Sequence, residues 1–93
     1  MIEKTCIRVE ISGIVQGVGF RWKTREAALT LGITGWITNR PDGNVETVFQ
    51  GSRSSVDEMI RWARKGPAGA TVIGIKLHRQ KFDEELRDFI ILK

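Results

Sequence analysis

Residues 13–21 read Gly13-Ile14-Val15-Gln16-Gly17-Val18-Gly19-Phe20-Arg21, and the rest of the 93-residue chain is arranged around this stretch. Three glycines stand among apolar residues, and a cation closes the run. Glycine has no Cβ, so its backbone can adopt φ > 0 and approach a ligand closely. A loop of this kind can direct several backbone N–H groups into one concavity, which suits an anion. The stretch therefore predicts a loop between a strand and a helix, with the geometry of an anion site.

Arg21 falls in the first turn of the helix predicted after this loop. The positive end of the helix dipole makes a lone cation unfavourable there and a bound anion favourable. A phosphate held between Arg21 and the loop amides would explain the arginine. Alternatively, the run is a Gly-rich turn and the Arg21 side chain is simply solvated. The spacing matches neither G-x-G-x-x-G nor G-x-x-x-x-G-K-S/T, so a nucleotide-binding loop is not indicated, and on the residues alone both interpretations stay open.

Alternation predicts a strand before the loop, and helical spacing predicts a helix after it. Residues 6–11 place Ile7, Val9 and Ile11 on one face, which is typical of a half-buried strand. Residues 21–31 follow as a helix that ends at Gly32. Trp22 lies off the apolar stripe of this helix and near the loop. The stripe consists of Phe20, Thr24, Ala27, Ala28 and Leu31.

The remainder of the chain predicts a hairpin, a second helix and two further strands. Strands over 35–39 and 44–50 are joined by Arg40-Pro41-Asp42-Gly43, in which proline and glycine favour the two corners of a turn. The second helix begins at Ser52 or at Ser55 and ends before Gly66-Pro67. A charged turn over 81–88 separates the last two strands, 71–78 and 89–92. The helix stripe consists of Val56, Met59, Ile60 and Ala63, and the strand over 71–78 places Ile73, Ile75 and Leu77 on one face.

The predicted order is β-α-β-β-α-β with a terminal strand. This split β-α-β pattern predicts an α+β protein of the ferredoxin-like type. We expect a mainly antiparallel five-stranded sheet with both helices on one face. No internal repeat beyond this pseudo-symmetry, no low-complexity tract and no linker interrupts the pattern. Residues 1–93 are therefore expected to form a single domain.

The composition is that of an ordinary globular protein, with 41% apolar and 28% charged residues. The N-terminus has no apolar signal segment, and no run approaches the ~20 residues that span a bilayer, so we expect a cytoplasmic protein without a membrane partner. One cysteine, Cys6, and one histidine, His78, are too few for a disulfide or a structural zinc site. The net charge of +4 favours anionic ligands, but we interpret most of the cations as solvated faces.

Two motifs resemble the signatures of one family. GIVQGVGFR at 13–21 is similar to G-x-V-Q-G-V-x-F-R of the acylphosphatase family. The segment 35–46, GWITNRPDGNVE, is similar to the family's second signature, G-W-V-x-N-x-x-D-G-x-V-E. The departures are mild, because Ile14 occupies a variable position and Ile37 replaces valine. The resemblance extends in element order over nearly the whole chain.

This resemblance implies a hydrolase that cleaves acyl phosphates, with Arg21 and Asn39 as the catalytic residues. It implies that Arg21 and the loop hold the phosphate and that Asn39 orients the attacking water. It also implies a terminal strand at the sheet edge, no metal or cofactor, and a monomer. The expected partners are a small acyl phosphate, with inorganic phosphate as product and inhibitor, and no nucleic acid. The loop residues that would bind substrate are Val15, Gln16, Gly17, Val18, Gly19 and Phe20.

The chemistry of the residues agrees with these roles. Arginine offers a planar fork of N–H donors for phosphate, and the asparagine carbonyl can accept a proton of water. An acyl phosphate releases a carboxylate whose conjugate acid has a pKa of roughly 4–5, so neither a general acid nor a metal is required. Phosphoryl transfer then asks mainly for positioning and charge stabilisation. The alternative to a catalytic role is that the Asn39 side chain only caps the turn that follows it.

Two other functions stay open at this point. Ferredoxin-like sheets can bind single-stranded RNA by stacking bases on aromatic side chains of adjacent strands. The aromatic-rich RNP pattern is absent here, and we interpret Trp36 and Phe49 as packing residues. The second alternative is a domain that acts on carbamoyl phosphate, as in hydrogenase-maturation proteins that resemble the family. Those domains are fused to a much larger chain.

Overall fold

The computed structural model describes residues 3–92, and in that range it contains five strands and two helices. In chain order they are β1 (Lys4–Ile14), α1 (Phe20–Leu31), β2 (Thr34–Asn39), β3 (Val45–Ser52), α2 (Arg53–Lys65), β4 (Thr71–Gln80) and β5 (Phe89–Ile91). The predicted order of elements is confirmed, and the bounds of individual elements differ by a few residues.

The strands form one sheet in the order β4-β1-β3-β2-β5. Neighbouring strands are antiparallel except for β2 and β5, which run parallel. Helix α2 packs on β1, β3 and β4, α1 packs on β2 and β5, and the helices touch each other, so both cover the same face. The predicted ferredoxin-like fold is confirmed, with β5 added at the edge beside β2. Neither helix in this part of the chain is long and apolar enough to cross a bilayer.

The core lies between the sheet and the two helices. Both predicted helical stripes face it, and the buried hydroxyl of Thr24 donates to the Phe20 carbonyl oxygen at 2.7 Å. This bond satisfies a polar group that would otherwise be costly to bury. The buried apolar residues of the sheet include Val9, Ile11, Ile37, Val45 and Phe49, and those of the helices include Phe20, Ala28, Val56, Met59 and Ala63.

The ends of the helices follow local rules. Ser52 is the N-cap of α2, because its hydroxyl oxygen accepts from the backbone N–H of Ser55 at 3.2 Å. This contact decides between the two starts that the sequence allowed. Helix α1 ends at Gly32 with φ 69°, and the β2–β3 hairpin turns at Gly43 with φ 91°. Both glycines occupy the left-handed region that was expected of them.

Strand β4 departs from its predicted pattern. Its register with β1 shifts between Ser12 and Gly13, so that Val72 stands opposite Gly13 and Ile73 has no partner. Val72 and Ile75 pack against the core, whereas Ile73 is 78% exposed. The prediction that Ile73 shares one packed face with Ile75 and Leu77 is therefore wrong. A bulge adds one residue to a strand and breaks the alternation on which the prediction depended.

The sheet face away from the helices carries an ion-pair cluster, which consists of Arg8, Glu10, Arg40, Glu46 and His78. Arg8 contacts Glu10 and Glu46 at 3.3 and 3.1 Å, and Arg40 contacts the same carboxylates at 3.8 and 3.6 Å. The Nε2 nitrogen of His78 lies 2.8 Å from Glu10 Oε2. These hydrogen bonds, that of His78 first and that of Arg8 next, lower the pKa of Glu10. His78 is thus a member of this cluster.

Candidate active site

The loop between β1 and α1 has the backbone conformation that its glycines allow. Gly17 and Gly19 have φ values of 74° and 75°, and Gly19 is the N-cap of α1. A Cβ added at either position would meet no atom within 4 Å, so the requirement is conformational and not one of space. Residues other than glycine rarely adopt this region. Residues 15–19 are called the glycine loop below.

The backbone N–H groups that follow β1 are not used by the protein itself. Within residues 3–92, none of the N–H groups of residues 16–21 donates a backbone hydrogen bond, and the first such bond at the start of α1 runs from Lys23 to the Gly19 carbonyl oxygen at 3.0 Å. The first turn of α1 contains no acidic residue, and Gly19 provides no side-chain cap. The positive end of the helix is therefore not neutralised by a local carboxylate.

Arg21 lies in this first turn and is half-buried. No carboxylate of the described residues approaches it within ion-pair distance, although Arg8, Arg40, Arg53 and Arg61 all have such partners. A guanidinium in a partly buried position normally finds an anion, because charges are costly to desolvate alone. The site therefore has an excess of positive charge.

A cleft of about 150 Å³ joins this loop to the end of β2. Arg21 and Asn39 both line it, so the tertiary structure brings the two motifs together. Trp22 also lines the cleft. From the sequence we placed this residue near the loop but did not assign it to the site. Two features of the sequence could have identified Trp22 as a site residue: it follows Arg21 directly, and it lies off the buried stripe of the helix. The full lining is Val15, Gly17, Gly19, Phe20, Arg21, Trp22 and Asn39.

Two residues of the predicted loop set have side chains directed elsewhere. The side-chain amide of Gln16 donates to the carbonyl oxygens of Arg40 at 2.9 Å and Asn44 at 2.8 Å. Val18 packs against the hydrophobic core. Neither residue is part of the cleft lining, so only their backbone groups are in a position to serve a ligand.

Asn39 is the last residue of β2 and pairs with Val45 of β3. Its Oδ1 atom is buried and accepts no hydrogen bond from any residue that the structure describes. The following turn is held by other groups, since Arg40 N–H donates to the Asn44 carbonyl oxygen and Asn44 N–H donates to Asp42 Oδ1. Asn39 does not cap its own turn. A buried acceptor without a partner is uncommon in proteins and indicates a ligand or water that completes it.

Comparison with known proteins adds to this description. The sequence profile of the family described as Acylphosphatase matches residues 7–91. An acylphosphatase of Rhizobium etli is 48% identical over 85 residues, which cover 91% of this chain and 90% of that relative. A solved acylphosphatase structure from Coxiella burnetii has a TM-score of 0.90 at 38% identity, covering 97% of this chain and 94% of the other. One from Bacillus subtilis has a TM-score of 0.90 at 28% identity, covering 95% and 98%.

The fold and the cleft define a small α+β protein with a cationic site where a glycine loop meets the start of a helix. The profile match over residues 7–91, together with relatives of similar length and sequence, makes the assignment more specific. The chain belongs to the acylphosphatase family. The resemblance seen in its two motifs is confirmed.

Proposed function

We propose that the protein hydrolyses acyl phosphates to a carboxylate and inorganic phosphate, by direct attack of water and without a covalent intermediate. The observation that carries this proposal is the content of the cleft. Arg21 without a carboxylate partner, the glycine loop and Asn39 meet around about 150 Å³.

Arg21 and the free loop amides would hold the phosphate group. A guanidinium can donate two parallel hydrogen bonds to phosphate oxygens, and it stays charged at any working pH. The N–H groups of residues 16–21 and the positive helix end add donors that need no reorganisation when charge develops on the equatorial oxygens. Gln16 and Val18 would contribute through their backbone N–H groups, because their side chains are engaged elsewhere.

Asn39 would orient the attacking water. Its Oδ1 accepts no hydrogen bond from the described residues. The oxygen is closed to solvent as it stands, so this role requires the amide to turn about χ2, which exchanges Oδ1 with Nδ2 in nearly the same volume. The water could then donate one proton to Oδ1 while its lone pair faces phosphorus.

The reaction balances without a general base in the protein. The water oxygen forms a bond to phosphorus, the bond between phosphorus and the acyl oxygen breaks, and its electron pair leaves with the carboxylate. Among the residues that line the cleft, Arg21 is the sole ionisable one in the described chain, so the water's proton passes to a phosphate oxygen or to solvent. A carboxylate is a good leaving group, and no acid is needed to protonate it.

The direct test is hydrolysis of benzoyl phosphate, measured as phosphate release with and without EDTA. We expect turnover in wild type that EDTA does not change. Arg21→Ala should lower kcat/KM by roughly thirtyfold to a few thousandfold, because removal of one partner of a charge-assisted pair in a partly buried site costs roughly 2–5 kcal/mol. Arg79→Ala is the matched control, since Arg79 is exposed and pairs with Ile7 at the far end of β1. Near-wild-type kcat/KM in Arg21→Ala, or turnover that EDTA removes, would refute the mechanism.

A further inference from the structure

A second concavity adjoins the cleft, along the seam between α1 and β5. It is a groove of about 610 Å³, with Trp22, Arg25 and Leu29 on the helix side and Asp88 and Ile91 among the residues on the strand side. Trp22 lines the groove as well as the cleft that contains Arg21 and Asn39. The groove and the cleft therefore share Trp22 as a common wall.

The helix wall of the groove follows from spacing along α1. Trp22, Arg25 and Leu29 stand at i, i+3 and i+7, which places them on one face, separate from the stripe that faces the core. At 1.5 Å per residue this row is about 10 Å long. Trp22 is 64% and Leu29 53% exposed, so two large apolar side chains face solvent next to a charged site. Exposed apolar surface beside a polar site is typical of a ligand groove.

Arg25 keeps the polar part of this wall in place. Its Nε donates to the carbonyl oxygen of Phe89 at 3.2 Å, which ties α1 to β5 across the floor of the groove. No carboxylate in residues 3–92 forms an ion pair with Arg25. The groove thus carries one cation and one carboxylate, Arg25 and Asp88. Its apolar surface includes Trp22, Leu29 and Ile91.

We propose that this groove binds the acyl group of the substrate and that the preferred substrates are acyl phosphates with an aromatic or extended apolar acyl group. This proposal depends on the proposed function, because the phosphate end must lie in the cleft. With phosphorus beside Arg21, the carbonyl carbon and the group attached to it extend past Trp22 into the groove. A methyl group, as in acetyl phosphate, is too short to reach Leu29.

The experiment compares acetyl, benzoyl and octanoyl phosphate in wild type, Trp22→Ala, Leu29→Ala and the control Leu77→Ala. Leu77 is 43% exposed on β4, away from the groove. For each substrate we compare kcat/KM of the variant with kcat/KM of wild type. Dividing the two values cancels the intrinsic reactivity of that substrate. Trp22→Ala should lower kcat/KM about tenfold more for benzoyl and octanoyl phosphate than for acetyl phosphate. Leu29→Ala should lower it about fivefold for octanoyl phosphate only.

The same fall for all three substrates, or no fall for any, would overturn the groove assignment while hydrolysis itself remains. Binding of phenylphosphonate and methylphosphonate, measured by calorimetry, gives a result that does not depend on turnover. Phenylphosphonate should bind about tenfold more tightly than methylphosphonate in wild type and lose that advantage in Trp22→Ala. Equal affinities in wild type would refute the groove even if no acyl phosphate were hydrolysed.

Discussion

The side-chain amide of Gln16 donates a hydrogen bond to the backbone carbonyl oxygen of Arg40 at 2.9 Å, and a second to that of Asn44 at 2.8 Å. Gln16 belongs to the glycine loop, and Arg40 follows Asn39 directly. The contact therefore joins the two segments that carry Arg21 and Asn39. Although Gln16 lies outside the lining of the cleft, we expect these two hydrogen bonds to help fix the separation of Arg21 and Asn39.

Gln16→Ala should misplace Asn39 relative to the phosphate and lower kcat by roughly tenfold to a hundredfold, because a small displacement of a positioned group is costly. Loss of the two bonds should also lower the free energy of unfolding by about 1–3 kcal/mol. Phosphate affinity should change less than kcat, since Arg21 and the loop amides remain. Gln16→Glu should not restore turnover, because a carboxylate cannot donate to two carbonyl oxygens. Gln80→Ala, at an exposed position of β4, is the control. Full activity in Gln16→Ala would contradict the positioning role of the two Gln16 hydrogen bonds.

Arg21→Lys tests whether the geometry of the guanidinium matters or only its charge. The ammonium is a point charge and cannot form the paired hydrogen bonds of the fork, so we expect kcat/KM to fall by at least about tenfold. The free energy of unfolding should stay unchanged, since Arg21 has no ion pair among the described residues. Steady-state kinetics and chemical denaturation of this variant are the measurements. A lysine variant with wild-type kcat/KM would show that charge alone suffices.

Asn39→Ala should reduce kcat and kcat/KM together, because the loss concerns water placement in the transition state. The inhibition constant of phosphate should stay nearly the same, as the anion is held by other groups. Stability should change little, because Asn39 Oδ1 accepts no hydrogen bond from the described residues. If Asn39 served only as a turn cap, the variant would instead lose about 0.5–2 kcal/mol and stay active. Asn44→Ala alters the same hairpin outside the cleft and is the matched control.

Inorganic phosphate should inhibit competitively, because it is the product and would occupy the same donors. It should also protect the protein against thermal unfolding, by about 2.7 kcal/mol at a hundredfold excess over its dissociation constant. Differential scanning fluorimetry in chloride and in phosphate at equal ionic strength measures the effect. Arg21→Ala should lose most of the shift and Arg79→Ala should keep it. An equal shift in both variants would place the anion elsewhere.

Glu10 should make the stability of the fold dependent on acid pH. Its hydrogen bond with His78, and next that with Arg8, lowers its pKa in the folded state. The stabilisation is therefore fully present above the ordinary pKa of glutamate and is lost as the pH falls through the lower folded pKa. Denaturation from about pH 7 to about pH 3 should show a smaller loss of stability in Glu10→Gln than in wild type. Glu84→Gln, at an exposed position, should follow wild type, and parallel curves for Glu10→Gln and wild type would contradict the assignment.

The sequence by itself determined the order of the elements, because that order depends on periodicities and turn residues within a few positions of each other. The stripes of α1 and α2, the stop at Gly32 and the corner at Gly43 are all local properties of this kind. The glycine-rich stretch by itself indicated Arg21 as a possible phosphate ligand, whereas Asn39 was named only through the resemblance of the second motif to one family. Nothing local to either motif states that the two residues share a cleft.

Only the tertiary structure decided the contacts between distant residues. Gln16 and Arg40 are 24 positions apart, and Glu10 and His78 are 68 apart. A local pattern does not encode which carbonyl a side chain reaches, nor where a strand shifts its register, as β4 does beside Gly13. Trp22 likewise became part of the cleft only when α1 was placed against β2 and β5. Packing of the helices and the sheet fixes these distances, because it brings together chain segments whose sequences carry no sign of each other.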